Sequence, residues 1–456
     1  MKKMTINTSK ARAALCAGLL VFSLAGCGAN AGSVSASASN AASAEQSTQM
    51  ESLVGKNTNQ NNGSSNTAAS ANSTVTANAS DLFTERDLTQ TADTSSATNI
   101  TLESGKDVTI SKEGVYVLSG TATDVTITVT ADDSAKVQLV LNGVSIQNSD
   151  APAIYVTSAD KVFVTTVQGT TNELSVTGSF VADGETNLDA VIFSRDDLVL
   201  NGLGTLVISS TENGIAGKDD VKICGGSYQI TSGADAIEAN DSVLIADGNL
   251  TINSSKDGIH AENDEDDSVG NVYVGGGTLN IVAAEDGIQA TTIVQIDGGT
   301  LNIQAQEGLE GTYVQINGGS TTIEASDDGV NASAKSSQYT PTIEITNGEL
   351  NVTMGAGDTD ALDANGNLYI SGGTITISAQ SPFDYDGVGE LTGGTVIVNG
   401  EQVTTLQNSM MGGPGGGMMG GQPGGSADGM MGGQPGGRGN MTGGQTGGPG
   451  SGMKAS

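Results

Sequence analysis

The 456-residue sequence has no tryptophan, only 3% aromatic residues, one histidine and three cysteines. Cys16, Cys27 and Cys224 provide no pair for a disulfide framework, because the first two lie in an N-terminal targeting segment. Basic residues are also scarce: residues 81–401 hold 10 Lys and Arg against 48 Asp and Glu. A field of that sign repels phosphates and attracts cations, so nucleic acid is excluded as a partner.

The first 26 residues have the three-part layout of a secretory signal. Basic residues up to Arg12 precede an apolar stretch from Ala13 to Ala25, which is too short for a retained membrane helix. The stretch ends in Leu-Ala-Gly-Cys at Cys27, which resembles a bacterial lipobox. The resemblance implies cleavage before Cys27 and a lipid on its sulfur, with an ordinary signal peptide as the alternative. We therefore expect a protein anchored by lipid at the extracellular face of a bacterial cell membrane.

Two low-complexity segments flank the central part of the chain. Residues 27–80 are mainly Ser, Ala, Asn, Thr and Gln, which cannot bury enough apolar surface to offset the entropy of ordering. Residues 406–456 repeat Met-Met-Gly-Gly and Gln-Pro-Gly-Gly. We predict a disordered linker and a disordered tail, and a single folded, monomeric domain over residues 81–405.

The central part repeats a short pattern of an acidic residue or Asn, a small residue, an aliphatic residue, a variable residue and a small residue. Successive copies are 22, 22, 29, 21, 21 and 32 residues apart, which indicates a unit of about 21 to 22 residues with two insertions. The copies begin at Asn213, Asp235, Asp257, Asp286, Glu307, Asp328 and Asp360. Each unit also carries a Gly turn followed by alternating polar and β-branched residues, as in Gly298–Ile303, which predicts strands with one buried face.

Stacking of such units predicts an all-β, right-handed parallel β-helix. A single unit cannot cover its own apolar face, whereas each strand of a stack pairs with its copy about 4.8 Å away. A leucine-rich repeat and a calcium-binding nonapeptide roll are excluded, because their repeat motifs are absent. We expect residues 100–209, which repeat less regularly, to form the first coils and an N-terminal cap.

In-register stacking would place the acidic residues in columns. Carboxylates about 4.8 Å apart repel by roughly 1 kcal/mol in water and by about 3 to 4 kcal/mol at an effective dielectric of 20. Bound Ca²⁺, which takes six to eight oxygen ligands, would offset this repulsion. The alternative is that the side chains extend into solvent, where salt screens them, and the Asp before Gly serves the turn. The predicted calcium ligands are Asp219, Asp220, Asp235, Glu238, Asp257, Glu262, Asp264, Asp286, Glu307, Glu310, Asp327, Asp328, Asp360 and Asp363.

Two single residues are given structural roles. His260 occupies a repeat position where Glu, Gln and Asn also occur, so we predict a solvated side chain rather than a catalytic base. Cys224 lies at a turn where other units have Asp297, Asn317 or Ser371, so we predict an unreactive thiol.

The segments Leu139–Ile146, Ala153–Val156 and Ile192–Leu198, followed by the Asp-Gly-Ile-x-Ala units, resemble a family of bacterial surface carbohydrate-binding lipoproteins. Proteins of this family form right-handed parallel β-helices, are similar to family 9 pectate lyases and bind Ca²⁺. The resemblance spans residues 83–398. It implies binding of polysaccharide, either acidic polymers of the pectin type or cellulose, without established hydrolysis.

Binding and cleavage have different requirements. A polysaccharide lyase needs a Lys or Arg base beside its metal, and Lys218 and Lys256 lie near acidic residues in the sequence, where both also suit ion pairs. Neutral-sugar modules usually stack their ligand on aromatic rings, and only Phe383 and Tyr385 approach a ring cluster. Our first hypothesis is therefore calcium-dependent, non-catalytic binding of an acidic polysaccharide. The alternatives are a calcium-dependent pectate lyase and a structural spacer or adhesin.

Overall fold

The computed structural model describes residues 77–409 except residues 185, 264 and 358. Cys27, the predicted signal peptide, most of the predicted linker and tail, and Asp264 lie outside the described residues. In the described part of the chain, no helix has the length and apolar character needed to cross a membrane.

The described chain is almost entirely β-structure, with one short helix, α1 (Ala79–Leu82), and 34 strands. The first seventeen strands are β1 (Thr98–Thr101), β2 (Val108–Ile110), β3 (Gly114–Thr123), β4 (Ile127–Thr130), β5 (Lys136–Asn148), β6 (Ile154–Ser158), β7 (Lys161–Thr166), β8 (Thr171–Val176), β9 (Ala190–Ser194), β10 (Asp197–Gly202), β11 (Thr205–Ser209), β12 (Asn213–Gly217), β13 (Asp220–Ser232), β14 (Ile237–Ala239), β15 (Ser242–Ser254), β16 (Ile259–Ala261) and β17 (Asn271–Val274). The remaining strands are β18 (Thr278–Ala283), β19 (Asp286–Ala290), β20 (Ile293–Ile296), β21 (Thr300–Ala305), β22 (Glu307–Gly311), β23 (Tyr313–Ile316), β24 (Ser320–Ala325), β25 (Val330–Ala332), β26 (Thr342–Ile345), β27 (Glu349–Met354), β28 (Asp360–Ala364), β29 (Asn367–Ile370), β30 (Thr374–Ser378), β31 (Ser381–Tyr385), β32 (Gly389–Leu391), β33 (Thr395–Val398) and β34 (Glu401–Val403).

These strands form two sheets, in which nearly every strand pairs with the equivalent strand one repeat away. The 12-stranded sheet has the order β2-β4-β6-β9-β12-β14-β16-β19-β22-β25-β28-β31, and all of its pairings are parallel. The 22-stranded sheet has two rows, which the long strands β3, β5, β13 and β15 connect. The first row is the one that contains β17 and β20, which pair with each other. The second row contains the paired strands β18 and β21. The prediction of an all-β fold with parallel strands is confirmed.

The core is formed by columns of aliphatic side chains that the stacking brings into contact. In the 12-stranded sheet Ile215, Ile237, Ile259 and Ile288 are aligned in consecutive strands, and each is completely buried. Burying one such side chain contributes about 1.5 to 3 kcal/mol. The aliphatic position of every repeat therefore fixes the register, because a one-residue slip would turn the whole column toward solvent.

The C-terminal end of the stack closes with a hairpin. Strand β34 pairs antiparallel with β33 across a turn at Asn399 and Gly400, which have φ angles of 51° and 86°. Positive φ at both central residues is typical of the tight hairpin turn that Asn-Gly favours. Residues beyond the hairpin still contact the stack, since Asn408 donates a side-chain hydrogen bond to the Tyr385 carbonyl at 2.6 Å.

An N-terminal segment, residues 77–90, lies along the outer face of the first row. Both backbone polar groups of Ala77 are hydrogen-bonded to Gln295, so the packed part includes Ala77–Ser80, which composition grouped with the linker. Phe83 packs on Tyr273 with ring centroids 6.1 Å apart. Cys224 lies in the same apolar cluster and is 3% exposed, and burial raises the pKa of its thiol to about 12. The unreactive environment predicted for Cys224 agrees with this position.

Candidate functional site

The 12-stranded sheet carries two columns of mostly polar side chains, three residues apart in each repeat. The aliphatic alignment from β12 to β28 places equivalent residues of successive repeats one above another. The first acidic column consists of Asn213, Asp235, Asp257, Asp286, Glu307, Asp328 and Asp360. The second column consists of Ala216, Glu238, His260, Gln289, Glu310, Asn331 and Asp363.

The first acidic column is tied together by hydrogen bonds from side chain to backbone. Asn213 Oδ1 accepts the backbone N–H of Asp235 at 2.9 Å, and Asp235 Oδ1 accepts that of Asp257 at 2.9 Å. Asp257 Oδ1 accepts the N–H of Asp286 at 2.8 Å, and Asp328 Oδ1 accepts that of Asp360 at 3.2 Å. One carboxylate oxygen thus serves the corner of the next repeat, and the other is available for different contacts.

The glycine after the acidic residue meets a close approach between repeats. A Cβ atom on Gly308 would lie 2.3 Å from the Gly329 carbonyl oxygen and 2.5 Å from Ile323 Cγ2. This explains the Asp-Gly or Glu-Gly pair of most units. The acidic pattern therefore has a role at the corner of the fold as well as any role in binding.

The first cluster of possible metal ligands contains Asp235, Asp257 and His260. His260 Nδ1 lies 3.6 Å from Asp235 Oδ2 and 3.5 Å from Asp257 Oδ2, while Nε2 lies 3.1 Å from Glu262 Oε2. Only 16% of the His260 side chain is exposed. The expectation that this side chain is solvated is therefore wrong, because the neighbouring acids and the loop after β16 enclose it.

Charges within this cluster shift three pKa values. Burial alone would lower the pKa of His260, but contact with Asp235, Asp257 and Glu262 raises it to about 9. Burial raises the pKa of Asp257 to about 6. For Asp235 the effect of burial is outweighed by its contacts with His260 and with the Asp257 N–H, so its pKa is lowered.

The second cluster contains Asp286, Glu307 and Glu310 and adjoins the first. Gln289 bridges it, donating to Asp286 Oδ2 at 2.9 Å and to Glu310 Oε2 at 2.7 Å. Lys335 Nζ lies 2.8 Å from Glu310 Oε2. This lysine belongs to the loop between β25 and β26. The positive charge beside the second cluster therefore comes from a segment that does not follow the repeat.

Lys335 is the cation beside the three acids of the second cluster, and one positive charge does not compensate three carboxylates. Burial raises the pKa of Glu307 to about 7. Burial and the neighbouring Asp257, Glu307 and Glu310 carboxylates also raise the pKa of Asp286. Glu310 is the exception: burial opposes its ionisation, but Lys335, Gln289 and Ser333 lower its pKa. The hydrogen bonds that Asp286 and Glu307 accept come from the neutral amides of Gln289 and Asn331, so these two carboxylates would gain most from a bound cation.

The columns continue toward the C-terminal end of the stack. Burial raises the pKa of Asp328 to about 6 and that of Asp363 to about 7, with further contributions from nearby acids. Asp360 precedes Asp363 in β28, and Asp363 is aligned with Asp384 in β31. Asp327 lies beside the first acidic column and accepts a hydrogen bond from Gln306 at 3.3 Å.

Glu238 lies toward the N-terminal end of the second column. Lys218 Nζ is 3.7 Å from Glu238 Oε1. Glu238 also accepts a hydrogen bond from Asn213 at 2.5 Å, and burial raises its pKa. Lys218 Nζ is 5.7 Å from the centroid of the Phe193 ring, a cation–π distance. Lys256, the other candidate base, is exposed at the turn before Asp257 and makes no ion pair with the described residues.

Asp219 and Asp220 form a separate acidic group. Asp220 is aligned with Ser242 at the start of the first row, away from the two columns. Burial raises the pKa of Asp219, and the Asp197, Asp220 and Asp241 carboxylates raise it further. The structure thus groups these two predicted ligands with the acids of the neighbouring corner.

The acidic insertion after β16 splits between two partners. Glu262 turns back to His260, whereas Asp267 accepts the backbone N–H of Ser337 at 2.9 Å in the loop after β25. The Ser336 hydroxyl donates to the Asp267 carbonyl at 2.5 Å. The two long insertions of the repeat therefore meet at one edge of the 12-stranded sheet.

Sequence reasoning assigned His260 to solvent and did not place Lys335 at the site. The signal for His260 was its position three residues after Asp257, the same spacing as Gln289 after Asp286. The Lys335 position had no such signal, because it depends on how a nine-residue insertion, residues 333–341, folds back.

No aromatic side chain in the described ranges is classed as exposed, which limits the ways in which a sugar could stack on the surface. Phe383, one of the two rings considered above, is 1% exposed and faces the core. The Tyr385 ring is half-buried and its hydroxyl donates to the Leu406 carbonyl at 3.4 Å.

Comparison with known proteins finds a related sequence and a related solved structure. One curated relative, a carbohydrate-binding domain-containing protein of Acetivibrio thermocellus, is 35% identical over 130 residues, which are 28% of this chain and 46% of the relative. The chain thus matches less than half of that relative's length. A solved structure of a polysaccharide lyase-like protein from C. thermocellum, a gadolinium derivative, is similar at 30% identity, with a TM-score of 0.42, over 50% of this chain and 94% of that one.

The sequence model of carbohydrate-binding domain-containing proteins matches residues 104–358 and 307–410. The matched residues include the whole of both columns and most of the strands described above. The chain belongs to the family of carbohydrate-binding domain-containing proteins.

Proposed function

We propose that this protein binds an extracellular acidic polysaccharide through Ca²⁺ and does not cleave it. The observation that carries the proposal is the first acidic column, in which a carboxylate recurs in six successive repeats from Asp235 to Asp360, with Glu310 of the second column beside it. Membership of the carbohydrate-binding family supports a polysaccharide partner. The regular spacing suits a polymer, which offers the same chemical group at each step.

The fold proposed for this role is a right-handed parallel β-helix. The three strand positions per repeat and the parallel pairing support a helix of stacked coils. The right-handed sense follows from the handedness of crossovers between parallel strands. A rigid stack of this kind would hold the carboxylates at fixed distances along its length.

Calcium fits the acid-only cluster best. Asp286, Glu307 and Glu310 offer carboxylate oxygens within 4.8 Å of one another. Three carboxylates supply at most six of the six to eight oxygens that Ca²⁺ prefers, so sugar carboxylates or water would complete the set. The raised pKa of Glu307, about 7, supports the fit, because an uncompensated acid cluster disfavours ionisation and a dication removes that penalty.

An acidic polymer suits this site better than a neutral one. The aromatic rings of the described residues are at most partly exposed, which disfavours the stacking of a neutral sugar. A surface whose acids outnumber its bases repels uronate carboxylates unless a cation lies between them. We therefore propose a pectin-like polymer joined to the protein by calcium, with cellulose as the less favoured partner.

The proposed location is the extracellular face of a bacterial membrane. Residues 1–26 would be a signal peptide, Cys27 the lipidated residue, and the remaining linker a flexible tether. A coil of roughly 50 residues has a mean end-to-end distance of about 40 Å, which would hold the domain away from the lipid surface. We expect the tail after residue 405 to be disordered and the protein to be monomeric.

The test uses full-length protein that has been stripped with EDTA and then supplied with Ca²⁺ or Mg²⁺. We expect co-sedimentation with polygalacturonate after addition of Ca²⁺ but not Mg²⁺. The same polymer with its carboxylates methyl-esterified is the matched control, and it should not bind. Equal binding of both polymers, or binding that ignores Ca²⁺, would refute the calcium bridge.

The same mixtures distinguish the two alternatives. Lyase action leaves an unsaturated sugar that absorbs in the ultraviolet. A steady rise in absorbance would therefore indicate that the protein cleaves the polymer. The observation that favours this alternative is the Lys335–Glu310 contact at 2.8 Å, which puts an amine beside the acid cluster. Absence of both binding and product for every polymer would favour a structural spacer.

A further inference from the structure

A histidine interrupts the otherwise oxygen-rich columns. His260 follows Glu238 and precedes Gln289 in the second column. Its side chain faces the Oδ2 atoms of Asp235 and Asp257. We propose that Asp235, Asp257 and His260 form a binding site for a divalent transition-metal ion of the zinc class, separate from the calcium position proposed at the acid-only cluster.

The distances suit a small ion with short bonds. Nδ1 lies 3.6 Å and 3.5 Å from the two Oδ2 atoms, which is too long for strong hydrogen bonds. Zinc bonds to nitrogen and oxygen are about 2.0 to 2.2 Å, so the ligand atoms of a tetrahedral site lie roughly 3.4 Å apart. The three ligand atoms all lie within 4.8 Å of one another, so a bound ion would draw the three side chains closer together.

Each ligand is already oriented by a second contact. Asp235 Oδ1 and Asp257 Oδ1 accept backbone N–H groups at 2.9 and 2.8 Å, which directs each Oδ2 atom toward the imidazole. On the other side of the ring, Nε2 lies 3.1 Å from Glu262 Oε2. A carboxylate on the second nitrogen commonly orients a metal-binding histidine, and Glu262 is close enough to take that role when the ring turns toward an ion.

The His260 ring is buried without a well-formed hydrogen bond to the described residues at either nitrogen. Nδ1 and Nε2 are both shielded from solvent, and their carboxylate neighbours lie outside hydrogen-bond geometry. A buried polar atom without a partner is costly, so such atoms in native proteins call for an explanation. A metal ion between Nδ1 and the two carboxylates supplies one.

The nitrogen ligand also selects the class of metal. Calcium prefers oxygen ligands, and imidazole suits zinc and its neighbours in the periodic table. Gln289, Glu310, Asn331 and Asp363 occupy the equivalent position in later repeats and offer oxygen atoms. Three protein ligands leave one tetrahedral position for water or for an oxygen of a bound molecule.

The competing explanation is that His260 carries a proton and simply neutralises the two acids. In that arrangement removal of the imidazole changes the stability of the protein but not its affinity for zinc. In a metal site the same removal abolishes tight zinc binding. A zinc titration therefore separates the two explanations.

The experiment uses the full-length, EDTA-stripped chain titrated with Zn²⁺, and with Co²⁺ as a spectroscopic probe. His260→Gln gives this repeat the residue that the next repeat has at Gln289, and Glu324→Gln, at an exposed position in β24 outside both clusters, is the control. We expect zinc affinity to fall by more than about tenfold in His260→Gln and to stay unchanged in Glu324→Gln. The visible Co²⁺ bands of a low-coordinate site should disappear in His260→Gln.

Equal zinc affinity of wild type and His260→Gln, or displacement of zinc by a modest excess of Ca²⁺, would overturn the proposal. If His260→Gln fails to fold, Glu262→Gln replaces it, since it retains all three ligands and removes only the carboxylate beside Nε2. That variant should bind zinc about tenfold more weakly, and unchanged affinity would overturn the proposal equally. Calcium-dependent sedimentation with polygalacturonate is measured on the same variants, so a failure of either proposal is recognised independently.

Discussion

The Oδ1 atom of Asp257 accepts the backbone N–H of Asp286 at 2.8 Å, although 29 residues separate the two in sequence. The acidic side chain of one repeat thus replaces a backbone acceptor at the corner of the next repeat. Only one of the two carboxylate oxygens is needed for this contact. The first acidic column can therefore fasten successive repeats and still offer an oxygen to a cation.

This contact predicts that two substitutions of Asp257 affect the stability of the protein differently. Asparagine retains Oδ1, as Asn213 does for Asp235 at 2.9 Å, so Asp257→Asn should unfold at nearly the same temperature as wild type. Alanine leaves the Asp286 N–H without its partner and should cost about 1 to 3 kcal/mol. Thermal unfolding followed by circular dichroism in EDTA measures both. Equal destabilisation by Asn and Ala would show that the charge, and not the hydrogen bond, supports the corner.

The calcium proposal predicts a specific effect of Glu307→Gln. Loss of one carboxylate from the Asp286, Glu307 and Glu310 cluster should weaken Ca²⁺ binding by about tenfold, which corresponds to about 1.4 kcal/mol. Glu324→Gln is the matched control, because it removes the same charge from an exposed position in β24. Isothermal titration with Ca²⁺ compares the two. An equal loss in both variants would indicate a diffuse effect of net charge rather than a site.

A third prediction concerns the effect of pH on the metal-free protein. Burial holds the pKa of Asp257 at about 6 and those of Glu307 and Asp363 at about 7, above the values of 3.8 and 4.5 for exposed Asp and Glu. His260 has a pKa of about 9 against 6.5 when exposed. The folded state therefore holds more protons than the unfolded state between about pH 5 and pH 9, and stability must fall as pH rises through that range.

Melting temperatures in EDTA at steps from pH 5 to pH 9 test this sign. We expect a continuous decrease, because protons leave the folded acids and then His260 as the pH rises. Added Ca²⁺ at pH 8 should recover part of the loss, since a dication replaces the lost protons. A melting temperature that increases with pH in EDTA would show that ionisation of the column side chains does not destabilise the metal-free protein.

The regular part of this arrangement could be predicted from sequence because the repeat itself encodes the register. The aliphatic residue two positions after each acid, such as Ile259 after Asp257, aligns with its copies and carries the acids into columns. The corner hydrogen bonds were not foreseen, since a spacing reveals which residues are neighbours but not which atoms meet. Lys335 and Glu262 lie in insertions, which have no copy elsewhere in the chain to indicate their position. The packing of residues 77–90 on the first row was missed for the same reason.

The N-terminal segment leads to the last prediction, on Lys161→Met. Lys161 Nζ lies 3.6 Å from Asp87, whose side chain is fully buried under that segment, and 3.3 Å from Asp197. Methionine would leave two acids beside each other without their shared cation. Breaking a buried pair in this way typically costs about 3 kcal/mol.

Lys106→Met serves as the control, because Lys106 pairs with Glu103 at 3.3 Å while both side chains are 69% exposed. An exposed pair of this kind contributes less than about 1 kcal/mol, so its loss should hardly change the urea midpoint. A large decrease in the midpoint for Lys161→Met alone would show that the segment over the first row is held by charge as well as by apolar contacts. Equal and small changes in both variants would mean that water reaches Asp87, which contradicts the packing of residues 77–90 against the first row.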